Sequence, residues 1–228
     1  MSRTEASAAA GTAGWRVLLG TLCASVPVGS LAEAATVAAA AAAACGDDAD
    51  GHLRADLRPD RVELSLQSRL IGRVTRRDAE LTHAITEAVI RSGRAIARPV
   101  TLDDNPRPVQ VLELAIDTMD RTVILPFWKA VLGYTEQPGS GDPPDAIEDP
   151  AGQLPTIWFQ QMDEPRPQRN RIHFDIVVSH EEAEPRIAAA LAAGGRLVSD
   201  AEARAFWVLA DAEGNEVCVC TWQDRDQA

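Results

Sequence analysis

The second half of the chain repeats itself. "VLELAIDTMDRTVILPFWKAVLGY" begins at residue 111 and reads as strand, helix, glycine. "RIHFDIVVSHEEAEPRIAAALAAGG" begins at residue 171 and reads the same way. Gly133 and Gly194 end the two helical patterns, where a left-handed residue is wanted. Each copy then runs into further strands: "LPTIWFQQM" in the first, and "GRLVSD", "AFWVLAD" and "EVCVCTW" in the second. The last two are joined by the turn "AEGN". A duplicated strand–helix–strands unit restricts the fold to a curved sheet with two pseudo-symmetric halves.

Side chains alternate faces along a strand, so parity within the repeat matters. In the first copy Leu112, Leu114 and Ile116 form an apolar face, opposite Glu113, Ala115 and Asp117. In the second, Ile172, Phe174 and Ile176 are apolar, opposite His173 and Asp175. The apolar faces are expected to pack on the helices and the mixed faces to line the concave side of the sheet. Glu113 and His173 hold equivalent places, so the repeat axis is expected to bring them together. A carboxylate with an imidazole suits acid–base work or a borderline divalent ion. Trp158 and Trp207 are candidate pocket walls.

The first half reads differently. Trp15 is its only aromatic residue before Phe127, whereas nine stand from Phe127 onwards. "ARPVTLDDNPRP", residues 97–108, is proline-rich and polar, as a linker requires. Residues 1–13 carry no periodic pattern, and "WRVLLG" reads as a short strand. Ser30 and Glu33 form a capping box ahead of an alanine-rich helix over 31–45. "HLRADL" and "RVELSLQ" read as strands, with Val62, Leu64 and Leu66 on one buried face. "TRRDAELTHAITEAVIRSG" is an amphipathic helix, with Leu81, Ile85 and Val89 recurring every four residues. Strand, helix, strand, strand, helix makes a small α+β sandwich. The expected organisation is a first domain over 1–98, a linker over 99–107 and a second domain over 108–228.

Composition narrows the partners. The 228 residues carry a formal net charge of -12, which repels phosphate backbones and anionic lipid surfaces. Nucleic acid and membrane are therefore excluded as expected partners. No apolar run approaches the ~20 residues of a membrane span. "WRVLLGTLCASVPVG" resembles the apolar core of a signal peptide, but Pro27, Gly29 and Glu33 interrupt the apolar run. Cys23, Cys45, Cys218 and Cys220 form no CxxC pair, which fits a reducing compartment. A cytoplasmic chain is expected.

These motifs carry two resemblances. "FWKAVLGY", "NRIHFDIVV", "AALAAGGRLV" and "FWVLADAEGNEVCV" make residues 108–224 similar to the glyoxalase-like branch of the vicinal oxygen chelate superfamily. The resemblance implies paired βαβββ units forming a cupped sheet around a small ligand or a divalent metal (Zn, Fe or Mn). It also implies metal ligands on the first and last strands of each unit. Carried over, these are Glu113 and His173, with Gln160 and Cys218 near the last-strand positions. Cys218 stands where many members carry glutamate. Trp158, Gln160, Asp175 and Trp207 are then candidates for ligand contact.

The first half, from "GWRV" through "DAEL", resembles pterin-4a-carbinolamine dehydratase. That likeness implies a site at His52 and Asp78. Leu53 and Arg54 replace the family's second histidine and proline, and Arg69 replaces a further histidine. Arginine does not exchange protons near neutral pH, so the usual acid–base set is broken. The combined expectation is an α+β chain in which a degenerate dehydratase-like sandwich precedes the glyoxalase-like unit. It binds a small molecule, with or without a metal, and assembles as a homo-oligomer. The alternatives are a metal-assisted lyase, isomerase or dioxygenase, a metal-free ligand-sequestering protein, and a working 4a-hydroxytetrahydrobiopterin dehydratase.

Overall fold

The structure, a computed structural model, describes residues 1–97, 110–166, 168 and 171–224. The expected linker over 99–107 lies outside the described residues. The chain divides into two compact units, Met1–Val111 and Leu112–Ala228, and both combine helices with sheet. Among the described residues no helix is long and apolar enough to cross a membrane.

The first unit has one four-stranded antiparallel sheet in the order β1-β2-β4-β3, formed by Arg16–Leu18, Thr21–Pro27, Arg61–Leu66 and Leu53–Leu57. Helices α1 (Arg3–Gly11), α2 (Leu31–Cys45), the single turn α3 (Ala49–His52) and α4 (Arg76–Arg91) complete it. Residues 3–11, which carry no apolar periodicity, are helical because Ser2 and Glu5 close a capping box on each other's backbone N–H groups. Helix α2 starts at the Ser30 cap, and Ala34, Val37, Ala41 and Cys45 form its buried stripe.

The run at 21–27, leader-like when read alone, is the central strand β2, buried from Leu22 to Val26. It pairs along most of its length with β4. A strand covered on both faces is apolar almost throughout, which is the composition a leader also shows. Trp15 is almost fully buried and donates its indole N–H to Thr86 at 3.1 Å, which satisfies the one polar atom its side chain carries inside.

The second unit contains two four-stranded sheets of identical topology. The first has the order β5-β8-β7-β6, from Glu113–Thr118, Thr156–Gln161, Ala146–Glu148 and Thr135–Glu136. The second has the order β9-β12-β11-β10, from Phe174–Val177, Glu216–Cys220, Phe206–Ala210 and Arg196–Ser199. Helix α5 (Arg121–Leu132) follows β5, and α6 (His180–Ala192) follows β9. Each copy is therefore βαβββ, with its first and last strands parallel.

The register repeats as well. Leu114 pairs with Ile157 and Phe174 with Val217, so both pairs are 43 residues apart and the copies are offset by 60. Parity obeys the alternation: Ile116 and Thr118 are buried on β5, while Glu113, Ala115 and Asp117 face the other way. In the second copy Phe174, Ile176 and Val178 pack against the core, and His173 and Asp175 are exposed. Ile172 departs from the expected apolar face and is 77% exposed. The parallel ladder with β12 starts only at Phe174, so Ile172 precedes the strand that would have aimed it inward.

The two helices lock together at their C-terminal ends. Gly133 caps α5 in the left-handed conformation, and the Arg186 guanidinium from α6 donates to the Val131 carbonyl at 3.3 Å. In return Gly195, just past α6, receives the Phe127 ring from α5. A Cβ there would stand 2.3 Å from that ring, so the close approach requires glycine. Phe127, Trp128 and Ile124 fill the core between them.

Each unit has its own buried apolar cluster, so each is expected to fold alone. Cleaving the chain at Asp103 should leave two soluble pieces, each melting cooperatively by circular dichroism. An insoluble or non-cooperative 104–228 piece would show that the second core needs the first.

Candidate functional site in the second unit

The turn Asp211–Asn215 organises the site. The Asp211 carboxylate is fully buried, and it accepts from Glu213 N, Asn215 N and Asn215 Nδ2 at 2.8–3.0 Å. It also accepts from Trp128 Nε1 on α5 at 2.9 Å, so the second copy's hairpin holds the first copy's helix. Four donors satisfy a charge that burial would otherwise penalise by several kcal/mol. Glu213 then reaches the other copy. Its carboxylate accepts from Thr118 Oγ1, Met119 N and Asp120 N at 2.8–3.0 Å, ahead of the first turn of α5. Asp149 builds the matching turn of the first copy, accepting from Ala151 N and Gln153 N ahead of β8.

Between these elements lies a cavity of about 620 Å³. Leu114, Ile116, Met119, Trp128, Met162 and Phe174 supply apolar wall. Asp117, Arg166, Arg171, His173 and Asn215 supply polar groups. Arg166 and Asp117 pair at 3.0 Å at the rim, where both are well exposed. Trp128 stands edge-on to Phe174 at 5.7 Å, which fixes the inner wall as a rigid aromatic corner.

His173 lines this cavity; Glu113 does not. The two residues hold equivalent places in the repeat, but the titratable group that assembles around His173 contains Asp175 and Cys218 instead. The possible ligand atoms of His173, Asp175 and Cys218 all lie within 4.8 Å of one another, and His173 Nε2 is 3.4 Å from Asp175 Oδ1. Cys218 is the cross-strand partner of Asp175 in the parallel β9–β12 ladder, which is why the pair meets.

The two-copy set of Glu113, His173, Gln160 and Cys218 does not assemble around one point. Gln160 is one reason. With the copies offset by 60, the equivalent of Cys218 is Trp158, and Gln160 is level with Cys220. Gln160 sits at the exposed end of β8, pairs across to Asp117, and lines a shallow outer depression. Trp158 is half-buried across from Ala115, and Trp207 packs against the core beside β12. Neither indole lines the cavity. The cavity residues that the repeat alone does not reveal are Trp128, Met119 and the arginines of the 162–172 segment. Trp128 stands next to Phe127 in a helix whose apolar stripe reads as core, and the arginines sit in a stretch with no periodic pattern.

Burial and Asp175 together push the Cys218 thiol up to about 12, since the thiol hydrogen-bonds to that carboxylate. Burial raises Cys23 in the first unit to about 11 and Tyr134 in the second to about 12.

In the first unit the structure does bring His52 and Asp78 together. His52 Nδ1 is 2.8 Å from Asp78 Oδ1. Asp78 is fully buried, and its other oxygen accepts from Thr75 N and Oγ1 at 2.7 and 2.6 Å, closing the α4 capping box. Arg69 is exposed and donates to the Leu53 carbonyl at 3.2 Å.

Residues 113–220 match the family model of the glyoxalase-like domain. No curated protein matches the chain. Similar solved structures include a glyoxalase-related enzyme from Fulvimarina pelagi, at 16% identity over 50% of this chain and 88% of that one, with a TM-score of 0.40. The fosfomycin resistance protein FosX from Mesorhizobium loti is 10% identical over 50% of this chain and 91% of its own, with a TM-score of 0.40. A glyoxalase/bleomycin resistance protein/dioxygenase from Alicyclobacillus acidocaldarius is 20% identical over 52% and 96%, with a TM-score of 0.36.

The buried polar groups generate two predictions. Trp128→Phe leaves one Asp211 acceptor unmet and should cost about 1–3 kcal/mol in urea unfolding. A change below about 0.5 kcal/mol would show that the indole bond does not couple the two copies. Stability should also fall as pH rises above 9, the ordinary thiol value. There the unfolded chain loses thiol protons that the fold retains up to about 11 at Cys23 and about 12 at Cys218, so the unfolded state binds fewer protons. Melting temperature recorded across this alkaline range should decline above pH 9, and less steeply in Cys218→Ala. A flat profile would contradict the burial of these groups.

Proposed function

We propose that the second unit binds a small organic molecule, part apolar and part polar, in the cavity between its two βαβββ copies. The observation that carries this reading is the cavity itself. Its volume of about 620 Å³ falls within the range of small-molecule sites, about 300–1,000 Å³. Its chemistry also fits. Leu114, Ile116, Met162 and the Trp128–Phe174 corner give a ligand apolar area to bury, while His173, Arg171 and Arg166 offer directional donors. The match of residues 113–220 to the glyoxalase-like domain agrees with small-molecule chemistry at such a place. Whether the site sequesters or transforms its ligand depends on the groups around His173.

The first unit is read as a companion module. Asp78 fixes the His52 ring, but Arg69 stands where a second proton carrier would be needed, so acid–base turnover there is not proposed.

The test uses the full chain and a panel of small aromatic and aliphatic carboxylic acids. A binder should raise the melting temperature and quench tryptophan emission, because Trp128 forms the wall. Met162→Trp, which fills the cavity from its rim, should abolish both effects. His173→Ala should weaken binding about tenfold, the loss of one good hydrogen bond. Binding that is indifferent to Met162→Trp would place the ligand elsewhere, and no binder across the panel would remove the reading.

A further inference from the structure

We propose that the ligand of this cavity is a monocarboxylate and that Arg171 selects it, which rests on the cavity reading and narrows it to one chemical class. Among the described residues, three carboxylates line the cavity, those of Asp117, Glu213 and Glu216. Asp117 pairs with Arg166 at 3.0 Å, so those two charges cancel. Glu213 is spent on the first copy, where Thr118 Oγ1, Met119 N and Asp120 N donate to it at 2.8–3.0 Å. Glu216, half-buried at the start of β12, is engaged as well.

The cations of the wall are not matched in the same way. Arg166 has Asp117, and His173 stands 3.4 Å from Asp175. Arg171 is exposed, and among the described residues no carboxylate lies within ion-pair distance of it. Its guanidinium therefore brings an uncommitted positive charge to the cavity. Phe174, which makes the aromatic corner with Trp128, follows three residues later. Three residues span at most about 10 Å of chain, a distance suited to a ring with a short acidic arm.

Charge sets the class of ligand. A guanidinium offers a planar fork of N–H donors that matches the two oxygens of one carboxylate. A doubly charged head, such as a phosphonate, would call for a second cation, and that of Arg166 is already neutralised. The field of the unit points the same way. Leu112–Ala228 holds 9 basic and 21 acidic residues, so it carries the whole net charge of -12. A dianion meets about twice the long-range repulsion that a monoanion meets there. One local cation suffices for one charge, with the apolar body of the ligand buried against Trp128 and Phe174.

The test is isothermal titration of the full chain with phenylacetate and with its neutral amide, phenylacetamide. The acid should bind about tenfold more tightly than the amide. Added salt should shrink that preference, because Arg171 is exposed. Arg171→Met should lower the acid to the affinity of the amide and leave the amide unchanged. Arg171→Lys should recover part of the preference, since it keeps the charge and loses the fork. Benzylphosphonate should bind more weakly than phenylacetate. Circular dichroism of each variant verifies the fold. Equal affinities for acid and amide, or a preference that survives Arg171→Met, would overturn the role of Arg171. Amide binding that Met162→Trp blocks would in that case leave the cavity reading standing. Tighter binding of benzylphosphonate would overturn the single charge. If neither probe nor any acid of the panel binds, the cavity reading itself fails, and the selection by Arg171 fails with it.

Discussion

The buried carboxylate of Asp211 is the constraint around which the second unit is arranged. It lies in a turn of the second copy, yet one of its four donors is an indole from the first copy's helix. Burying that charge is tolerable only while every donor is in place. Trp128 therefore cannot rotate away, and with it the aromatic corner against Phe174 keeps its shape. Glu213 adds a second tie two residues on, joining the same turn to the backbone between β5 and α5. A turn that reads in sequence as a simple hairpin loop is thus the bolt between the two halves, and the cavity opens beside it because both halves end there.

The helix pair provides a second constraint. Gly195 admits the Phe127 ring, and Arg186 covers the C-terminal end of α5. Burial lowers the Arg186 pKa, while Glu182 one turn earlier bonds it directly. The helices meet where the Phe127 ring lies on the Gly195 backbone and the Arg186 side chain reaches the Val131 carbonyl. Strand parity sets Leu114, Ile116, Phe174 and Ile176 against His173 and Asp175, yet the cavity draws on both sets, because core-packed Leu114, Ile116 and Phe174 line it together with His173.

Much of this was legible in the sequence for a physical reason. Helix caps and period-2 alternation are local, so α2, α4, β3, β4 and the repeated strand–helix pairs can be read from neighbours a few residues apart. Site membership was less legible. A strand's parity fixes which face a residue takes, but a slip of two residues preserves parity, so the pattern alone does not separate Trp158 from Gln160 as the partner level with Cys218. Only the parallel ladders, with their common spacing of 43 residues, decide it. The central strand β2 was obscured differently. Its apolar run carries no alternation because both of its faces are covered, and that run is indistinguishable in composition from an export leader.

Duplication also explains why symmetry in the fold need not mean symmetry in the chemistry. The backbone of each copy must keep the same register and the same Asx-type turn, since these close the sheets. Side chains on the mixed face carry no such duty. There the second copy has His173, Asp175 and Cys218, while the first has Glu113, Ala115 and Trp158 at matching places. Ala115 and Trp158 are also cross-strand partners, a small residue beside a large one, which fills the first copy's face with bulk. Their second-copy counterparts, Asp175 and Cys218, are a hydrogen-bonded polar pair instead. The duplicated backbone is thus symmetric while the side chains of its mixed faces are not, a small–large pair in one copy standing where the other has a hydrogen-bonded polar pair.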